Sequence, residues 1–255
     1  MVIFDCDGVL TTSEKLAAQY HVDRLPELNL TIEQAAFLFA GRHLPESAKE
    51  LKVSHNYDLP HGYGTDFFEV LSNSAETELK AVSGVAELFE KLHLPFCIAS
   101  NGSRQWLRRT LRIAGLLELP EDRPQNDTER VFYVGMDGEN IPRSKPAPDL
   151  LLRAMKGMQS LYVELEDLQP MEVLMIGDSV ADMGAARAAG MQRWGFTGGG
   201  HSHAAEYICK LREAGAKHIV GHMDEVLPKL RQINSGLCPA RERLGQPHVK
   251  SGQVA

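Results

Sequence analysis

Apolar positions along the chain gather into short runs separated by stretches of helical period. The runs Val2–Asp5, Pro95–Ser100, Val131–Val134, Glu172–Gly177, Gln192–Phe196 and His218–Val220 read as buried strands. Between most of them lie helical patterns at Ser103–Ala114, Asp149–Met158, Ala181–Ala189 and His203–Ala214. Gly115, Gly190 and Gly215 follow directly on helix ends, where a residue with access to positive φ stops a helix. Apolar strands alternating with helices predict βα units, hence an α/β fold with a parallel sheet covered on both faces.

One stretch breaks the alternation. Residues 14–82 carry helical segments and no convincing strand. Thr31-Ile-Glu-Gln34 is a capping-box pattern ahead of the apolar run Ala35–Ala40, and a further helix is expected over Thr65–Lys80. The expected organisation is a core of residues 1–13 and 83–232 and a helical insert of 14–82, with hinges near 11–15 and 80–84. Pro120–Arg130 is polar and reads as a loop. Residues 233–255 are polar with Pro and Gly, and read as a disordered tail.

Composition narrows the class. The 255 residues are 43% hydrophobic and 24% charged, an ordinary globular mix that excludes a disordered chain. The net charge of −7 argues against nucleic acid or an anionic membrane as partner, since both need a basic face. Cys6, Cys97, Cys209 and Cys238 are far apart and form no C-x-x-C pair, which fits a reducing cytoplasm better than a disulfide framework. No apolar run approaches the roughly 20 residues that span a bilayer. Met1 opens straight into a strand pattern without a basic leader, so no signal peptide is expected. A monomer or homodimer acting on a small molecule is the expectation.

The chemistry gathers at strand ends. The first strand closes in Asp5-Cys6-Asp7-Gly8, two acids at i and i+2. Ligands of open α/β sheets bind outside the carboxyl ends of the strands, and an acid within a buried strand is costly unless paired or metal-bound. The strand Glu172–Gly177 also runs into acids, Asp178 and Asp182, and Pro95–Ser100 ends in a hydroxyl followed by Asn101 and Gly102. Lys145 sits in Arg-Ser-Lys-Pro-Ala-Pro-Asp ahead of a helix. Carboxylate oxygens suit Mg²⁺, and a hydroxyl, free amides and an ammonium suit a phosphate, so the set points to phosphoryl transfer.

With those residues in view, the chain resembles the haloacid dehalogenase superfamily, in the branch with a helical cap inserted after the first motif. The resemblance rests on Phe4-Asp-Cys-Asp-Gly-Val-Leu10, Ala99-Ser-Asn-Gly102, Lys145-Pro-Ala-Pro-Asp149 and Gly177-Asp-Ser-Val-Ala-Asp182, in that order, and covers residues 1 to about 230. It implies a Rossmann-like core. It also implies Asp5 as a nucleophile that forms an aspartyl-phosphate, and Asp7 as acid to the leaving oxygen and then base to water. Asp5, Asp178 and the backbone carbonyl of Asp7 would hold Mg²⁺, with Asp182 behind them through a water. Lys145 would offset charge, and Ser100, Asn101 and Gly102 would cradle the phosphoryl group. The loop Phe39–Glu46 resembles the family's substrate-specificity loop. Arg42 and His43 within it, and Lys49 after it, would meet an anionic or hydroxylated leaving group; the other reading makes them solvated helix-end residues.

The second acid separates relatives. Family members that cleave carbon–halogen or carbon–phosphorus bonds lack an acid two residues after the nucleophile, so Asp7 favours phosphate esters. The expectation is a phosphatase of a small phosphorylated metabolite, a sugar phosphate or related phosphate monoester, with a β-phosphoglucomutase-type phosphomutase as the alternative. Against it, Ala17, Leu44 and Gly177 stand where mutases carry a hinge histidine, a phosphate-gripping arginine and an acid. Thr12 likewise replaces an acid found in many relatives. A catalytically idle binding module is the reading from another class, and the intact motifs oppose it. Four further features carry less chemistry. Gly198-Gly-Gly-His201 reads as either a site rim or a plain turn. His201 and His203 lack a third metal ligand. Trp106 and Trp194 read as packing residues, and Arg104, Arg108, Arg109 and Arg112 as a solvated helix face.

Overall fold

The computed structural model describes residues 1–40, 44–116, 132–135, 141–201 and 205–235. The expected loop Pro120–Arg130, the residues Arg42, His43 and His203, Cys238 and the tail past Ser235 lie outside them. Six parallel strands, β1 (Val2–Phe4), β2 (Phe96–Ala99), β3 (Phe132–Val134), β4 (Leu174–Gly177), β5 (Gln192–Phe196) and β6 (His218–Val220), form one sheet in the order β3-β2-β1-β4-β5-β6. Every strand that the apolar runs predict is present. The order of connection reverses between β1 and β4, the switch point beside which such sheets bind ligands.

Strand alternation divides the core in two. Val2, Phe4, Ile98, Leu174 and Ile176 point into one apolar cluster, and Ile3, Cys97, Ala99 and Met175 into the other. Both faces are therefore dry, which is why these strands read as unbroken apolar runs. Ten helices cover the sheet or form the insert among the described residues: α1 (Ser13–Arg24), α2 (Ile32–Phe39), α3 (Leu44–His55), α4 (Phe67–Glu78), α5 (Val85–Lys91), α6 (Arg104–Ile113), α7 (Asp149–Leu161), α8 (Val180–Ala188), α9 (Ala205–Glu213) and α10 (Val226–Ser235). None is long and apolar enough to cross a membrane.

Helices α1–α4 follow β1 directly and carry an apolar cluster of their own, including Leu25, Ala35, Leu38 and Leu51. The Thr31 box forms as expected: its Oγ1 accepts from the Gln34 amide at 3.2 Å, and its own amide donates to Gln34 Oε1 at 2.8 Å. The two crossings between core and insert are paired. Val82 N–H donates to Leu10 O and Thr12 N–H to Lys80 O, each at 2.9 Å. The Thr12 hydroxyl, in the place of the acid many relatives carry, accepts from the Lys80 amide at 3.1 Å. Arg109 leaves the solvated stripe expected of α6 and bonds Glu76 Oε1 (2.6 Å) and Ser72 O (3.2 Å) on α4. Across the other side, Lys210 Nζ of α9 lies 3.2 Å from the ring centre of Phe37 on α2.

His21 is a buried titratable side chain in the insert's core. Its ring is 8% exposed, stacks on Phe39 at 3.7 Å with planes 8° apart, and shares a 2.7 Å hydrogen bond between Nδ1 and the Tyr63 hydroxyl. Burial pushes its imidazole down to about 4. The unfolded chain, with a pKa of about 6.5, takes up this proton first as pH falls, so stability is full above that value and is lost as pH drops from about 6.5 toward 4. The loss approaches roughly 3 kcal/mol across the window, at about 1.4 kcal/mol per pH unit. Urea unfolding of wild type and His21→Phe at intervals from pH 7 to 4 should show the wild type losing stability more steeply. Parallel curves would contradict the neutral buried imidazole.

Candidate active site

Five strand ends and their loops meet on one side of the sheet. Asp5 follows β1, Ser100 follows β2, Lys145 precedes α7, Asp178 follows β4, and His201 closes the loop after β5. All five are buried, as is Asp182 on the first turn of α8. Lys145 Nζ donates to Asp5 Oδ1 at 2.7 Å, to Asp182 Oδ1 at 2.6 Å and to Ala99 O at 3.1 Å. Asp182 is fixed on its other oxygen by the Ser179 amide (3.0 Å) and hydroxyl (2.6 Å), which also caps α8. Oxygens of Asp5, Asp178 and Asp182 lie within 4.8 Å of one another, a grouping that could hold a metal ion.

The electrostatics follow from burial. Desolvation, Asp182 and the other nearby acids push the Asp5 carboxyl well above the usual range, against the pull of Lys145. Asp178 is raised in the same way, by burial and then by Asp182. For Lys145, burial works against the ammonium, but Asp182 and Asp5 outweigh it and raise its pKa. One buried ammonium thus faces a cluster of buried acids. Hard oxygen donors with excess negative charge fit a divalent cation.

Asp7 stands apart from that cluster. It is half-buried, and only neutral groups donate to its side chain: Ser13 Oγ at 2.6 Å, Trp106 Nε1 at 3.0 Å and Ser100 Oγ at 3.1 Å. Cys6, between the two acids, points the opposite way into the core, where burial pushes its thiol well up. Asn101 holds the lysine loop: its Oδ1 accepts from the Lys145 amide at 2.8 Å and its Nδ2 donates to Lys145 O at 3.1 Å. The Gly102 amide donates to Ser100 Oγ at 3.0 Å. Arg42 and His43 lie outside the described residues.

Two residues of the site are missed by sequence reasoning. Trp106 is read there as packing, yet it binds Asp7. Its signal is position, two residues into a helix that starts just after the β2 strand end. His201 sits with Nε2 2.7 Å from Asp178 Oδ2, although neither ring nitrogen is aimed into a hydrogen bond. The glycines before it form the rim, not a free turn. A Cβ on Gly199 would fall 2.2 Å from Gly8 O, and Gly8, at φ +75°, has no room for a side chain beside Asp178 and His201.

Beside Asp7 opens a cavity of about 430 Å³, roofed by α1–α4 and the turn before α4 and reaching Gly102 and Trp106 on the core side. Its size suits a small-molecule ligand.

A parallel sheet with acids, a lysine and a hydroxyl at its switch point defines a hydrolase of the haloacid dehalogenase kind. The family model for haloacid dehalogenase-like hydrolases matches residues 1–190, and the chain belongs to that family. It is 26% identical over 204 residues to the 6-phosphogluconate phosphatase of Escherichia coli K12, covering 79% of this chain and 84% of that protein. Among solved structures it resembles a haloacid dehalogenase-like protein from Agrobacterium tumefaciens C58, with TM-score 0.76, 27% identity and coverage of 91% and 98%. It also resembles a family hydrolase from Deinococcus radiodurans R1 with bound phosphate and sodium, with TM-score 0.66, 31% identity and coverage of 91% and 95%.

Gly177 offers a direct test of the crowding behind Asp178. A Cβ there would sit 2.4 Å from Asp182 Cβ and Cγ. Gly177→Ala should displace Asp182 from Lys145 and lower stability by about 1–3 kcal/mol, read as a reduced midpoint of chemical unfolding. An unchanged midpoint would contradict the close packing.

Proposed function

We propose that the chain is a Mg²⁺-dependent phosphatase of small phosphate monoesters, working through an aspartyl-phosphate on Asp5. The observation that carries the reading is the division of the two neighbouring acids. Asp5 is buried against Lys145 beside Asp178, whereas Asp7 faces the cavity among neutral donors. Residues 1–13 and 83–232 act in this reading as the catalytic core, and 14–82 as a cap over it.

An Asp5 oxygen attacks phosphorus, and the bond from phosphorus to the ester oxygen breaks. Asp7 gives its proton to the departing oxygen. Asp7 then takes a proton from a water, which attacks the phosphoryl group and returns Asp5 as a free carboxylate with release of phosphate. Lys145 offsets the charge of Asp5, and Ser100 and the main chain at Gly102 hold phosphoryl oxygens. Asn101 acts by holding the Lys145 loop. Asp5, Asp178 and the Asp7 carbonyl are the groups to hold Mg²⁺, with Asp182 behind. The ion supplies the positive charge that lets a carboxylate approach a phosphate dianion. The missing mutase residues at Ala17, Leu44 and Gly177, together with the lack of space at Gly177, favour hydrolysis over phosphoryl return to a second site.

With p-nitrophenyl phosphate, Asp5→Asn should abolish turnover and Asp7→Asn should slow it greatly. EDTA should silence the enzyme and Mg²⁺ restore it. Retained hydrolysis in Asp5→Asn would refute the mechanism. Interconversion of glucose 1-phosphate and glucose 6-phosphate without phosphate release would favour the mutase.

Trp106→Phe should lower kcat about tenfold through loss of the hydrogen bond that orients Asp7, with the Mg²⁺ dependence unchanged. An unaltered kcat would return Trp106 to a packing role.

A further inference from the structure

The walls of the cavity restrict what the leaving group can be. The acidic side chains among its described lining residues are Asp7 and Glu14, both at the core end, and no lysine or arginine joins them. Burial raises the Glu14 carboxyl to about 8, so a carboxylate or second phosphate on the leaving group would meet no described cation there to offset its desolvation. Away from the core the lining is aromatic. His21 and Phe39 stack as given above, and Phe67 lies 5.6 Å from His21 with planes 18° apart. Phe68 packs edge-on against Phe67, also lines the cavity and is 75% exposed. Leu44, also lining it, is exposed as well.

Two neutral polar groups stand along this wall. Ser47 is 1% exposed, and its hydroxyl is buried without a hydrogen-bond partner. With no surface open to the cavity, that hydroxyl is not presented to a ligand. The Nδ1 of His21 is committed to Tyr63, and its ring edge is the second neutral group on the wall.

Resting on the phosphatase reading, we propose that the ester this site cleaves carries an uncharged, flat ring alcohol, aromatic or heteroaromatic. The ring lies against Phe67 and Phe68, offset or edge-on as aromatic pairs prefer. The phosphate end points past Asp7 to Asp5. A polyhydroxylated acid such as 6-phosphogluconate does not match these walls.

The test compares kcat/KM with Mg²⁺ for benzyl phosphate, glucose 6-phosphate and 6-phosphogluconate. Benzyl phosphate is expected to exceed 6-phosphogluconate at least tenfold. Phe67→Leu should reduce the ratio of benzyl phosphate to glucose 6-phosphate at least threefold, a ratio that does not depend on the folded fraction. A preference for 6-phosphogluconate, as a cation brought in by residues 41–43 would produce, overturns the inference and leaves the phosphatase reading intact. Calorimetry with the uncleavable benzylphosphonate and phosphonoacetate separates the two claims. Tighter binding of benzylphosphonate without turnover of any ester supports the pocket's specificity and refutes the phosphatase. Equal or weaker binding of benzylphosphonate overturns the inference whatever the turnover.

Discussion

The ammonium of Lys145, buried among Asp5, Asp182 and the nearby Asp178, is the constraint on which the site depends. Carboxylates at the ends of buried strands are held there at the expense of hydration. A single lysine compensates for only part of this, which is why burial and mutual repulsion still drive Asp5 and Asp178 toward protonation. The rest of the charge has to come from a ligand or an ion. The site is therefore poised to take up positive charge, and its rigidity comes from neighbours that have other partners: Asn101 on the lysine loop, Ser179 on Asp182, and Gly8 and Gly199 packed backbone to backbone.

The helical insert stands in a different energetic regime. Its tie to the core at Thr12 and Lys80 is made of backbone bonds and persists through any rotation that leaves the strand-like pairing intact. The outer contacts are weaker. Arg109 with Glu76 is a partly exposed ion pair, a type worth about 0–1 kcal/mol, and the Lys210 ammonium over Phe37 adds a similar amount. The insert is thus held by backbone bonds where it leaves the core and by weak side-chain contacts elsewhere.

What the sequence makes legible follows from which forces are local. The strands are readable because both faces of the sheet are dry, so Ile3 and Phe4 are both apolar although they face opposite ways. The α2 cap is readable because Thr31 and Gln34 bond within one turn. The acids and Lys145 are readable because they recur at strand ends. Trp106 and His201 are not, since their partners, Asp7 and Asp178, are distant along the chain and only the sheet order brings them together. Asn101 is located correctly but bonded differently from the expectation: its amide faces the Lys145 main chain and not the cavity. The side chain at such a position has two polar surfaces on offer, and sequence does not say which it takes.

Two acids separated by one residue would repel each other if they shared a pocket. The strand's alternation prevents this only in part, since i and i+2 lie on the same side. Both acids lie past the end of β1 at Phe4, and the chain turns at Gly8, whose φ is positive. Ser13, at the start of α1, Ser100 and Trp106 then hold Asp7 with neutral donors, so that it gains neither the lysine of Asp5 nor its burial. All three donors lie within residues 1–13 and 83–232, with Ser13 at the last position before the insert. The core alone thus completes the environment of Asp7, while its charge is still felt by Asp5 and Asp178.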